Sequence, residues 1–178
     1  MTSQVLLNPC IDNVTIVDKK KILHDGESLL VQMPFGESEG MEQAFGKDYI
    51  SIVFTTGTRA SQRACEFLQS LDERIVTEAE QNVQLWFGKS LDRDKLCEIF
   101  QSPWTSHDST LKIKVPPNTP VFSAHTRLPV ESSNFKKVSA IIECTGLFFS
   151  QAKFSLHWQA KQLMVDDSSP DYMFIEES

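Results

Sequence analysis

Residues Val138 to Val165 read VSAIIECTGLFFSQAKFSLHWQAKQLMV, and the periodicity of this stretch decides the fold class. Two long runs rich in β-branched and aromatic residues, Val138 to Phe149 and Ala152 to Val165, are separated only by the polar pair Ser150-Gln151. They predict two antiparallel strands joined as a hairpin. Side chains in a strand alternate between faces. Phe154, Leu156, Trp158 and Ala160 therefore share a core-like face, while Lys153, Ser155, His157, Gln159 and Lys161 share a basic, hydrogen-bonding one. The segment Thr110 to Val115 has the same plan. Leu111, Ile113 and Val115 point in, and Lys112 and Lys114 point out.

Toward the N-terminus the chain is β-rich as well. Val14 to Val17, Ser28 to Met33 and Asp48 to Phe54 read as strands, with an acidic loop at Gly36 to Gly40. The middle of the chain changes to helical period. Ala60, Ala64, Phe67, Leu68, Leu71 and Ile75 recur every three or four residues after a cap at Thr58 or Thr56. Thr77-x-x-Glu80 matches a capping box that restarts a helix, and Ser90 caps a further short one before Pro103. Val121 to Thr126 adds a strand of mixed pattern. The order predicts a mainly β domain over residues 1–165, an OB-like barrel or a β-sandwich, with a helical insertion at about 58–101. Residues 166–178 form an acidic tail.

Bulk composition excludes several classes. With 178 residues, 40% hydrophobic and 23% charged, the chain is long enough for a core and is not low-complexity. No apolar run reaches the length of a membrane-spanning helix, and the first residues lack the basic and apolar regions of a signal peptide. An intracellular protein, not secreted and without membrane contact, is the expectation. The cysteines at 10, 65, 97 and 144 form no C-x-x-C, so they read as reduced. No glycine-rich phosphate loop, nucleophile elbow or metalloprotease motif occurs. His107-Asp108 pairs a base with an acid, and Cys65 or Cys97 offers a thiol, but such sets arise by chance in chains of this length. No catalytic set, cofactor or metal is expected.

The basic outer faces suggest a groove. A surface for unpaired nucleic acid needs cations for phosphates and aromatic rings on which bases stack. Lys112, Lys114, Lys153 and Lys161 are the candidate cations; Phe122, Phe148, Phe149 and Trp158 are candidate platforms, with Phe122, Phe149 and Trp158 the preferred ones. Phe148 and Phe149 point to opposite faces, so one of them can be core. Trp158 and Phe154 at strand spacing also fit a core, and a lysine on a sheet face also fits a merely solvated residue.

The segments Ile141 to Phe149 and Ala152 to Leu163 resemble the C-terminal hairpin of the phage-type single-stranded DNA-binding proteins encoded by large eukaryotic DNA viruses. In that family a glycine and an aromatic precede the turn, and a Phe-x-Leu-x-Trp-like strand follows. Leu111-Lys112-Ile113-Lys114 is similar to the preceding strand. The resemblance implies an OB-type barrel with a helix between its third and fourth strands. It implies sequence-independent binding of single-stranded DNA in viral replication or recombination, in the host nucleus or cytoplasm. It implies a tail that recruits replication proteins through Asp166, Asp167, Asp171, Phe174, Glu176 and Glu177, and, since related phage proteins dimerise, a homodimer.

The net charge of −7 leaves a second reading open, an acidic β-sandwich that binds histones in the manner of a chaperone. Its distribution leaves both readings open, the acidic first 100 residues suiting a basic client. Residues 1–100 hold 10 basic and 16 acidic side chains, and the tail holds 5 acidic and none basic. Residues 101–165 hold 7 basic and 3 acidic. The segment resembling a DNA-binding hairpin is the net-basic part of an acidic chain.

Overall fold

The computed structural model describes residues 4–54, 57–131 and 136–166. Strands β1 (Val14–Val17), β2 (Lys21–His24) and β3 (Glu27–Ser28) form a small antiparallel sheet. The main sheet begins with β4 (Leu30–Gln32), β5 (Gly36–Glu37), β6 (Met41–Ala44) and β7 (Lys47–Val53). Helices α1 (Arg59–Gln81), α2 (Val83–Phe87) and α3 (Arg93–Ile99) follow. The sheet resumes with β8 (Phe100–Gln101), β9 (Trp104–Thr105), β10 (Thr110–Val115), β11 (Val121–Ser123), β12 (Lys137–Phe149) and β13 (Phe154–Val165).

The pairings close on themselves. β12 pairs with β13, β13 with β10, β10 with β7, β7 with β5, and β5 with β12. Only the β10–β13 join in this circuit is parallel. That join rests on Lys114 against Gln159, and the β5–β7 join on Glu37 against Val53. Two such narrow joins make an OB-like, partly open barrel rather than a sandwich of two separate sheets. The β5–β7 approach depends on Gly36. A Cβ there would lie 2.5 Å from Ile52 Cγ2 and 2.7 Å from the Val53 carbonyl oxygen.

The helices occupy the middle of the chain, but they follow the circuit's second strand, β7, not its third. Thr58 is the N-cap of α1, accepting from the Ser61 amide at 3.2 Å. Phe67, Leu68, Leu71, Ile75 and Ala79 form its buried face. The Thr77–Glu80 box restarts nothing, because α1 runs unbroken to Gln81. Arg93 instead binds the Glu80 carboxylate at 2.9 Å and the Thr77 hydroxyl at 3.4 Å. Asp92, not Ser90, caps α3, accepting from the Lys95 amide at 2.8 Å. The acidic side chain also suits the positive end of the helix.

The predicted hairpin is present, with a four-residue turn instead of a two-residue one. Phe149 and Phe154 are its last pair, and Ser150 clamps the turn through backbone and hydroxyl contacts with Lys153. Two bulges break the hairpin's register. Lys161 is the extra residue on β13, between Ala160 and Gln162, and Thr145 the extra residue on β12, between Cys144 and Gly146. Gly146 has φ 111°, and the Lys20 carbonyl accepts the Leu147 amide at 2.8 Å beside it. This contact docks the small sheet against β12. A Cβ at Gly146 would meet the Lys20 oxygen at 2.1 Å. Gly146→Ala is therefore expected to destabilise the fold by about 2–4 kcal/mol in urea unfolding, through both strain and lost docking. A change below about 1 kcal/mol would show that the small sheet does not depend on this approach.

Candidate nucleic-acid interface

The outer face of the circuit collects one set of side chains from four adjacent strands. On β7, Ile50 and Ile52 point into the core, so Lys47 and Tyr49 point out. On β10, Leu111, Ile113 and Val115 are buried, which leaves Lys112 and Lys114 outside. The register sets Lys114 opposite both Tyr49 and Gln159. On β13, Phe154, Leu156 and Trp158 are core, and Ser155 and His157 face out. Phe148 of β12 pairs with Ser155, and its ring meets the His157 ring edge-on at 4.7 Å. A shallow cleft of about 180 Å³ runs between Tyr49, Lys112 and Lys114 on one side and Ser155 and His157 on the other. The Gln101-Ser102-Pro103 loop closes one end, held by the Lys112 amide donating to the Pro103 carbonyl at 3.0 Å.

The charges of this face are partly committed. Lys112 Nζ lies 3.5 Å from Glu42 Oε1 and 4.8 Å from the centre of the Tyr49 ring. Lys47 and Lys114 make no ion pair among the described residues. Burial lowers the His157 pKa, and the nearby Lys114 and Lys47 charges lower it further. His157 is thus a neutral imidazole at pH 7, hydrogen-bonded to the Ser155 hydroxyl at 2.9 Å. Below the loop, Ser102 hydrogen-bonds Asp72 of α1, whose Oδ1 is buried without a partner among the described residues. Burial is the main cause that pushes the Asp72 carboxyl up to about 7.

The candidate residues from sequence divide accordingly. Lys112 and Lys114 come together in the cleft. Lys153 is exposed in the hairpin turn. Lys161 is exposed in its bulge, but its ammonium is 2.9 Å from Glu143 Oε2. Trp158 is a correction. It is 2% exposed, packed in the core face of β13, and offers no free ring to a base. Phe149 is a second correction. It packs against Trp86, Phe87 and Phe154, with Lys19 Nζ over its ring at 4.8 Å. The bulge at Thr145 shifts the alternation of β12 by one residue, so Leu147 turns inward and Phe148 outward. Phe148, 53% exposed, is the platform that unbroken alternation hides. Phe122 pairs with Met164, seven residues along β13 from His157 and therefore about 23 Å away.

Asp166 is the last described residue and is tied to the folded body. Its amide donates to the Lys137 carbonyl at 3.0 Å, and its Oδ1 is 3.0 Å from His125 Nε2. Asp167, Asp171, Phe174, Glu176 and Glu177 lie outside the described residues. Sequence reasoning missed Lys47, Tyr49 and one more aromatic. Phe45 sits at the tip of the β6–β7 hairpin and is 100% exposed. Its φ is 53° and that of Gly46 is 74°, the two positive values of a type I′ turn, where Asn-Gly is favoured. A phenylalanine in that conformation costs about 1–2 kcal/mol. The available signal was a phenylalanine directly before a glycine, Phe45-Gly46, ahead of the strand at Asp48 to Phe54.

Comparisons with known proteins place this surface on a recurring fold. The model of a family of unknown function (DUF5871) matches residues 43–176. No curated protein sequence matches the chain. The crystal structure of gp2.5, a single-stranded DNA-binding protein encoded by bacteriophage T7, is similar with a TM-score of 0.52 at 11% identity. The match covers 84% of this chain and 97% of that one. The single-stranded DNA-binding protein from bacteriophage Enc34, in complex with ssDNA, gives a TM-score of 0.46 at 11% identity, over 92% of this chain and 97% of that one. The likeness to gp2.5 is one of fold.

Two titrations test the site's electrostatics. By NMR, His157 is expected to titrate below its ordinary value of 6.5, and Lys114→Ala to move it upward. A midpoint at or above 6.5 in the intact chain contradicts this arrangement. Asp72 binds a proton more tightly folded than unfolded, so stability falls as pH rises from about 4 to about 7 and levels off above. Asp72→Asn is expected to flatten that fall and raise the melting temperature at pH 8, provided Ser102 keeps its partner. An unchanged pH profile would show that the carboxyl is already ionised in the folded chain.

Proposed function

The chain belongs to the family of unknown function DUF5871, and we propose that it is a single-stranded DNA-binding protein without sequence preference. The observation that carries the reading is the outer sheet face, where Lys47, Lys112 and Lys114 stand beside Tyr49, Phe148 and His157. Ammonium groups meet phosphates as point charges, and ring faces accept any unpaired base. Neither contact reads a base edge, so the surface selects single strands over sequences. The fold shared with gp2.5 supports the reading. A viral replication or recombination role, a homodimer, and recruitment of replication proteins by residues 167–178 belong to the same proposal and rest on the family resemblance.

The histone-binding reading has less support. Glu37, Glu39, Glu42 and Asp166 line one cleft, but Lys136 and Lys137 line it with them. A cleft of mixed charge does not present a basic client with a continuous acidic face.

Fluorescence anisotropy with oligo-dT tests the proposal. Affinity is expected to weaken steeply with salt, and the Lys112→Ala, Lys114→Ala double variant to lower the log–log slope by about 1.4, since each single-strand phosphate contact contributes about 0.7. No binding at about 50 mM salt overturns the proposal. Removing residues 167–178 is expected to tighten binding, because four acids then no longer compete for the lysines. Unchanged affinity would show that these residues do not screen the groove.

A further inference from the structure

Phe45 has no use inside the described molecule. Its ring is fully exposed, so it contributes nothing to the core. Its backbone φ of 53° is one that asparagine or glycine adopts with less strain. Neither stability nor solubility explains a phenylalanine there, and a ring held at such a cost has its contacts outside the described residues. The location says what those contacts are. Ala44 and Lys47 form the last pair of the β6–β7 hairpin, so Phe45 and Gly46 alone make its turn and leave no slack. Lys47 follows two residues later and Tyr49 four residues later, both on the cleft side of β7. Phe45 therefore stands at the end of the proposed strand track, past its terminal cation.

We propose that Phe45 is a base-stacking residue, taking the face of an unpaired nucleobase where the strand leaves the Lys47–Lys114 surface. This rests on the single-stranded DNA reading and adds a platform beyond those of the sheet face, Tyr49 and Phe148. A ring within a groove is covered by neighbours on its sides, whereas a lone ring beyond the sheet's end covers one face of a stack. The occupant is an unpaired base rather than a peptide, because the ring continues a row of lysines and a tyrosine. Glu42 and Asp48 on the same hairpin keep this end from being a general anion site.

Phe45→Asn and Phe45→Trp separate this role from a structural one. Asparagine suits the turn, so Phe45→Asn is expected to hold or raise the melting temperature while weakening oligo-dT binding by about 5-fold or more. Phe45→Trp is expected to bind within about twofold of the parent, with its indole emission quenched on adding oligo-dT. Stability and affinity thus move in opposite directions, which a merely structural residue cannot produce. The inference is overturned if the parent chain binds oligo-dT and Phe45→Asn binds equally well. It is likewise overturned if Phe45→Asn abolishes self-association in sedimentation and leaves affinity intact, since the ring is then covered by a second copy. Failure of the parent chain itself to bind oligo-dT overturns the underlying reading instead.

Discussion

Strand β13 is hydrogen-bonded along both of its edges, and the rest of the structure hangs on that constraint. One edge runs against β12 for eleven register pairs. The other edge takes β8 at Phe154 and Ser155, β10 at Gln159, and β11 at Leu163 to Val165. A strand paired on both sides cannot slip by one residue without turning its buried set outward. That set includes Phe154, Leu156, Trp158, Ala160 and Leu163, each at most 3% exposed. Burying one large apolar side chain contributes about 1.5–3 kcal/mol, so a register slip opposes several such terms at once. The fixed register of β13 places His157 and Ser155 on the outer face and holds β10 beside them.

The two bulges modify this frame without loosening it. An extra residue reverses the alternation beyond it, so each bulge chooses which neighbour faces water. At Thr145 the reversal buries Leu147 and exposes Phe148. The same bulge lets Gly146 approach the Lys20 carbonyl, which joins the small sheet to the barrel. One irregularity thus serves both packing and the candidate interface. At Lys161 the bulge projects the ammonium toward Glu143, which removes that lysine from the cationic row.

These irregularities mark where the sequence stops being legible. β10 and α1 are readable because each has an unbroken period and a dense apolar face, and the long hairpin because its apolar, β-rich runs outlast its two bulges. Thr58 is readable as a cap because its hydroxyl precedes that period directly. β6, with Met41, Glu42, Gln43 and Ala44, carries no β-branched residue and is specified by its partner β7. β8 and β9 are two residues each, too short for any period to register. Phe149 belongs to the core because the helices and the Thr145 bulge decide its side, neither of which is local in sequence, whereas Trp158 follows the plain alternation of Phe154 and Leu156. Ser90 and the Thr77–Glu80 box match their motifs, yet Asp92 and the unbroken apolar face of α1 win the competition.

The acidic total charge and a cationic binding face are compatible for a physical reason. At physiological ionic strength charges more than about 8 Å apart are largely screened, so a phosphate near Lys114 responds to its immediate neighbours. Those neighbours are Lys47, Lys112, Tyr49 and a neutral His157, with Glu42 the acid that reaches the row. Glu42 does not cancel the site. An exposed pair at 3.5 Å contributes about 0–1 kcal/mol, less than a charge-assisted bond to phosphate, so Lys112 can leave it when a strand arrives. The acid then stands beside the strand and weakens its hold. Under the proposed function, a surface built this way binds reversibly and responds to salt. What the charge distribution sets is where the cations gather, and the register of β13 against β10 sets which rings stand beside them.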